Sequence, residues 1–139
     1  MPWSISFRIQ GDEFRPSQVP FAFTEQHDPG VIGRYGRYRD RPIPYGSASY
    51  DVPPSIPRKD YIKHLVQTIE PVLPAIHEAG ATDWYVCIGR FYHGQCNEEY
   101  SLEELQLIAR LGCGFTYSAY EITEEKEQKM MQDGTAISS

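Results

Sequence analysis

Residues Asp83 to Tyr92 read D-W-Y-V-C-I-G-R-F-Y, and this stretch decides the fold class. Successive side chains of a strand point to opposite sides. Trp84, Val86 and Ile88 therefore share one face, and Tyr85, Cys87, Gly89 and Phe91 share the other. Both faces are apolar enough to be covered, so the stretch reads as a strand in the middle of a sheet.

Three further strands and two helical regions are legible around it. Ser4–Gln10 alternates Ile5, Phe7 and Ile9 with Ser4, Ser6, Arg8 and Gln10, a strand with one wet face. Gly46–Val52 alternates Ala48, Tyr50 and Val52 with Ser47, Ser49 and Asp51, and Pro53-Pro54 ends it. Phe115–Ile122 is the fourth strand. Ile62, Leu65, Val66 and Ile69 follow the spacing of one helical stripe. Pro71 and Pro74 interrupt that helix, with Val72, Leu73 and Ile76 continuing its apolar face in a kinked second segment before Gly80. Ser101-Leu102-Glu103-Glu104 is a capping box opening a helix with Leu102, Leu105, Ile108 and Ala109 on one side and Gly112 as its end cap. A short helix is expected from Arg15-Pro16-Ser17 towards Phe23, and a long Gly-, Pro- and Arg-rich loop from Gln26 to Tyr45. The pattern predicts an α+β fold, a four-stranded, mostly antiparallel sheet with helices packed on one face. The opposite face would carry Ser6, Arg8, Ser49, Asp51, Tyr85, Phe91, Thr116, Ser118 and Tyr120.

A chain of 139 residues reads as one domain, here about 1–122, followed by a charged, polar tail over 123–139. Its formal net charge of -6 argues against nucleic-acid binding through the whole surface and suits a basic partner. Ten tyrosines supply flat, amphipathic contact area. The start, M-P-W-S-I-S-F-R, lacks the basic-then-apolar pattern of a signal peptide, and no run has the length of a membrane span, so a cytoplasmic location is expected. Cys87, Cys96 and Cys113 show no C-x-x-C spacing and are expected as thiols.

The opening S-I-S-F-R-I-Q-G-D-E-F, the helix Y-I-K-H-L, the strand D-W-Y-V-C-I-G and the closing Y-S-L-E-E-L-Q-L-I-A-R-L-G-C-G-F-T-Y-S-A-Y together resemble the bacterial family catalogued as domain of unknown function 4279. The resemblance covers roughly residues 4–121. It implies a single α+β domain and brings no catalytic residues with it. Small acidic proteins of this build are also similar to immunity proteins that neutralise bacterial toxins, an analogy of architecture and not a matched motif.

Residues Gly33 to Arg41 read G-R-Y-G-R-Y-R-D-R and hold four of the nine arginines of this acidic chain. Arg34, Arg37, Arg39 and Arg41 are suited to forked binding of phosphate or carboxylate, and Tyr35 and Tyr38 to stacking on bases. The competing reading is a solvated loop whose arginines pair with the protein's own carboxylates. His93-x-x-Cys96 is one imperfect pair of metal ligands where zinc sites show two. A nucleophilic pair of Cys96 with His64, His77 or His93 has nothing in the sequence to fix its geometry. The adjacent carboxylates Asp12-Glu13, Glu98-Glu99 and Glu103-Glu104 point apart and make poor acid–base pairs. No phosphate-binding loop, dinucleotide fingerprint or nucleophile elbow is present. The expectation is a non-enzymatic module without metal or cofactor. It binds another protein, a toxin in the most concrete version, and occludes a basic surface with Asp51, Tyr85 and Tyr120, with Asp12 and Glu13 at the edge. The alternative is nucleotide or single-stranded RNA binding through the Arg/Tyr loop.

Overall fold

The computed structural model describes residues 3–122, so the tail expected over 123–139 lies outside the described residues. Five strands form one mixed sheet: β1 (Trp3–Gly11), β2 (Glu25–His27), β3 (Gly46–Asp51), β4 (Asp83–Tyr92) and β5 (Phe115–Glu121), in spatial order β2-β3-β1-β4-β5. The β2–β3, β3–β1 and β1–β4 pairings are antiparallel, whereas β4 and β5 run parallel. A parallel pair needs a crossover. Helix α3 (Leu102–Arg110) supplies it. The sheet thus has one strand more than expected. The addition is a three-residue strand at the edge, too short for period-two alternation to register in the sequence. β4 is an interior strand, as its two apolar faces require, but the central position belongs to β1.

Alternation along β1 divides the molecule. Ile5, Phe7 and Ile9 are essentially inaccessible, while Ser4, Arg8 and Gln10 are exposed on the other side. The buried row meets helix α1 (Tyr61–Ile69), whose Ile62, Leu65, Val66 and Ile69 are all buried, as their spacing predicts. A 3-10 turn at Glu70–Val72 absorbs Pro71 and leads into helix α2 (Leu73–Glu78), so the kink lies where proline denies the helix a backbone donor. Ile76 of α2, Ile108 of α3 and Leu111 join the same core. The expected short helix after Arg15 is a single 3-10 turn, Pro16–Gln18.

Helix α3 corrects one expectation. Its capping box is present, with Ser101 Oγ accepting from the Glu104 amide and Glu104 accepting from the Ser101 amide. Of the predicted apolar side only Ile108 faces the core, however. Leu102 is 71% exposed and Leu105 42%, and the helix buries Ile108, partly Leu107, and Leu111 just beyond its end. Two ion pairs accompany this orientation. Glu104 sits within 3.6 Å of Arg58, and the Arg110 guanidinium donates to both oxygens of Glu70. Burial of Ile108 and Leu111, with Leu107 partly covered, outweighs these partly exposed pairs in fixing which side faces inward.

The end of the core near Trp3 is closed by a polar clasp. The Arg58 guanidinium lies 3.6 Å from the Trp3 ring centroid and 5.8 Å from that of Tyr100, and it pairs with Glu98, which Arg90 also holds. Tyr117 donates to or accepts from Cys96 Sγ at 3.4 Å. Burial, then this contact, pushes the Tyr117 phenol above its ordinary range, and burial does the same for Tyr100. The clasp ties the 93–101 segment to the start of β1.

The corrected orientation of α3 has a measurable consequence. Leu111→Ala is expected to lower the unfolding free energy by about 2–5 kcal/mol, as for other buried leucines. Leu102→Ala should change it by no more than about 0.5 kcal/mol. Urea midpoints of the two variants check this, and comparable losses would restore the expected helix face.

Candidate functional site

The site is the sheet face away from the helices together with the segment that joins β2 to β3. Strand registers assign the open face directly. Arg8 lies opposite Ser49 on one side and Tyr85 on the other, Ser6 lies between Asp51 and Cys87, and Phe91 pairs with Tyr120. Every residue predicted for this face is on it. β2 adds Glu25, opposite Ser49, and His27, opposite Ser47.

The stretch expected as a long loop is the outer part of a β-hairpin. Beyond His27–Ser47 the same register continues to Ile32–Pro42. The Gly30 amide donates to Ile43 O at 2.7 Å, the Ile43 amide to Val31 O at 2.8 Å, and the Gly33 amide to Arg41 O at 2.9 Å. Pro29, Pro42 and Pro44 cannot donate, so the ladder is broken and the ribbon is not continuous strand. At its tip a 3-10 turn, Gly36–Tyr38, reverses the chain, and Asp40 takes a left-handed conformation with φ 60° that Asp tolerates better than most residues. Gly33 is required there, because a Cβ would stand 2.3 Å from the Tyr38 carbonyl oxygen. Gly46 at the return has the same requirement, since a Cβ would strike the Phe14 carbonyl oxygen. At the base of the arm, the Ser17 hydroxyl and amide both donate to the Asp28 carboxylate. The hydroxyl contact holds that carboxyl below its ordinary range.

The arm and the open face form one concave surface. A groove of about 1000 Å³ runs between the arm and β2–β3, lined by Val31, Ile32, Arg34, Tyr35, Arg37 and Tyr38 on the arm side and by Glu25, His27, Tyr45, Ser47 and Ser49 on the sheet side. Its floor is aromatic. Tyr45 lies 5.7 Å from His27 and 6.1 Å from Tyr38 between ring centroids, and the Arg37 guanidinium lies 5.7 Å from the Tyr38 ring. Glu25, Ser47 and Ser49 also line a second, smaller cleft of about 310 Å³ on the sheet, whose other walls include Arg8, Asp51 and Tyr85. The groove therefore opens into the cleft.

The two ends differ in charge. Arg34, Arg37, Arg39 and Arg41 are all exposed on the arm, and Tyr35 is 82% exposed among them. Among the described residues no ion pair involves any of the four. Glu70, Glu98 and Glu104 pair instead with Arg58, Arg90 and Arg110. The expected pairing of the loop arginines with the protein's own acids is thus not found among the described residues. At the cleft end, Glu25 and Asp51 face a single guanidinium, Arg8. Desolvation pushes the Asp51 carboxyl above its ordinary value, Arg8 opposes this, and Glu25 adds to it.

Of the residues predicted for partner binding, the structure places Arg34, Tyr35, Arg37 and Tyr38 in the groove and Asp51 and Tyr85 in the cleft. Arg39 and Arg41 belong to the arm but not to the groove wall. Tyr120 is on the far edge strand, stacked on Phe91 at 5.4 Å and 53% exposed. Glu25, His27 and Tyr45 carry no signal in the sequence, because only the pairing of β2 with β3 brings Glu25 beside Arg8 and Asp51 and places His27 and Tyr45 in the groove. The candidate catalytic pairs are not assembled with His64 or His77. His64 bonds Tyr50 Oη at 2.9 Å, and His77 packs on Trp84 at 4.4 Å between centroids, whereas Cys96 contacts Tyr117. Among the described residues no group of three or more His, Cys, Asp or Glu side chains is arranged to hold a metal ion, and no helix is long and apolar enough to cross a membrane. Compared with known proteins, the chain matches no family model, no curated protein and no solved structure.

Asp51 is ionised at a cost in the folded state, which predicts a pH signature. An acid whose folded pKa is raised contributes stability below its unfolded pKa of about 3.9, and that contribution is lost as pH rises through the folded value. Asp51→Asn is therefore expected to raise the urea midpoint at pH 7 and to give no advantage below about pH 4. A lower midpoint at pH 7 would show that the carboxylate supports the fold.

Proposed function

We propose that this protein is a non-enzymatic protein-binding module that covers a partner's surface, in the manner of an inhibitor or toxin-immunity protein. The observation that carries the reading is the continuity of the cleft at Asp51 and Tyr85 with the arm groove. It provides one concave face with a polar, hydrogen-bonding end and an aromatic floor, the composition of a recognition surface. Two carboxylates against one guanidinium in the cleft suit a cationic side chain of the partner. The net charge of -6 would steer a basic partner towards it.

The test is retention of a partner from the native host's extract by immobilised protein, beside the Asp51→Asn/Tyr85→Ala double variant. One discrete protein is expected on the unaltered chain, with at least about tenfold less on the variant, the loss typical of a recognition hot spot. No retained protein, or retention indifferent to both substitutions, would sink the proposal.

A second reading, nucleotide or single-stranded RNA binding through Arg34, Arg37, Arg39, Tyr35 and Tyr38, is favoured by the exposure of Tyr35 beside those arginines. If phosphate contacts carry binding, each arginine replaced by alanine should flatten the log–log salt slope by about 0.7. An unchanged slope, or no binding at low salt, removes it.

A further inference from the structure

The concave face is electrically polar along its length. Arg34 and Arg37 stand on the arm side of the groove, Glu25 lies where the groove meets the cleft, and Asp51 lies within the cleft. Between them lie the aromatic rings of Tyr38, Tyr45 and His27, spaced about as neighbouring packed rings are. A ligand filling this surface must change sign along its own length.

Resting on the protein-binding reading, we infer that the groove takes an extended polypeptide segment of the partner, with acidic residues against Arg34 and Arg37 and a basic residue in the cleft at Glu25 and Asp51. Opposite charges at the two ends determine both the class of ligand and its direction in the groove. A nucleic-acid strand is uniformly anionic. Phosphates seated on the arm would bring the following phosphates towards Glu25 and Asp51, where like charges repel. A uniformly basic segment meets the converse obstacle at the arginines. A polypeptide can carry both signs and also offer apolar or aromatic side chains to the rings between them. Because the arm arginines have no ion pair among the described residues, an incoming carboxylate displaces no internal one there. Arg8 is the one guanidinium that a cationic side chain must approach in the cleft, and Glu25 and Asp51 flank it.

Fluorescence anisotropy on the full chain tests the inference with labelled peptides of about ten residues, which reach ~33 Å when extended. The set comprises Glu-block/Lys-block peptides in both chain directions with a central Phe, an all-Glu peptide, an all-Lys peptide and a U10 RNA. One direction of the two-block peptide is expected to bind at least about tenfold more tightly than the reverse direction and than each uniform probe. Arg34→Ala/Arg37→Ala should remove its advantage over the all-Lys peptide. Asp51→Asn should remove its advantage over the all-Glu peptide. Circular dichroism verifies that both variants are folded, and Gly33→Ala, which disturbs the arm without altering charge, should also weaken the two-block peptide. RNA or the all-Glu peptide binding as tightly would make the arm a simple anion site and overturn the inference. Equal binding of the all-Lys peptide would overturn it while leaving the basic-partner reading intact. No peptide bound at millimolar concentration, with Asp51-dependent partner retention preserved, would overturn the inference alone, whereas loss of both would end both. A dimer in sedimentation that Arg37→Ala dissolves would assign the groove to a second copy and also overturn it.

Discussion

Contact between the inward row of β1 and helix α1 is the constraint from which the remaining architecture follows. Ile5, Phe7 and Ile9 meet Ile62, Leu65, Val66 and Ile69, and each such side chain is worth about 1.5–3 kcal/mol when fully buried. A one-residue slip of β1 would place Ser4, Arg8 and Gln10 under the helix, so the register is strongly held. Once it is held, β3 and β4 must follow on either side, and their alternate residues are committed to the opposite face. The open face is therefore a product of the core: Asp51, Tyr85 and Arg8 are together because Phe7 and its neighbours cannot be anywhere else.

The hairpin arm obeys a different constraint. Its side chains contribute little to the core, and it is held by a few backbone bonds and the anchoring of Asp28 by Ser17. Two glycines allow it to fold closely, Gly33 beneath the Tyr38 carbonyl and Gly46 beneath that of Phe14. Its arginines and Tyr35 are consequently free of structural duty towards the rest of the described fold. The arginines elsewhere behave otherwise. Arg58, Arg90 and Arg110 are each engaged with glutamates and hold segments together. The same residue type thus serves as a clasp in one part of the molecule and as exposed charge in another, and the difference lies in which carboxylates the fold brings within reach.

Asp51 illustrates how the site bears on stability. A carboxylate beside Glu25 in a partly desolvated cleft is a worse neighbour for the fold than a neutral group of the same shape. In helix α3, Leu102 and Leu105 look like core residues by spacing but stay outside, because Ile108, Leu111 and partly Leu107 are the side chains the core takes from this segment.

Local periodicity by itself determined the α+β class, four of the five strands, the α1 stripe, the kink at Pro71, the capping box at Ser101 and the membership of the open face. These follow from neighbouring residues a few positions apart, where a period of two or of about 3.6 is imposed by backbone geometry. Tertiary structure alone decided the short edge strand β2, the parallel pairing of β4 with β5, the rotation of α3 and the conversion of a Pro- and Gly-broken loop into an arm. Each depends on pairings between residues far apart in the chain, whose energies no local pattern encodes. The candidate site divides in the same way. Its arginines, Asp51 and Tyr85 could be named from the sequence, but that the arm groove opens into their cleft, through Glu25, Ser47 and Ser49, arose only when β2 paired with β3.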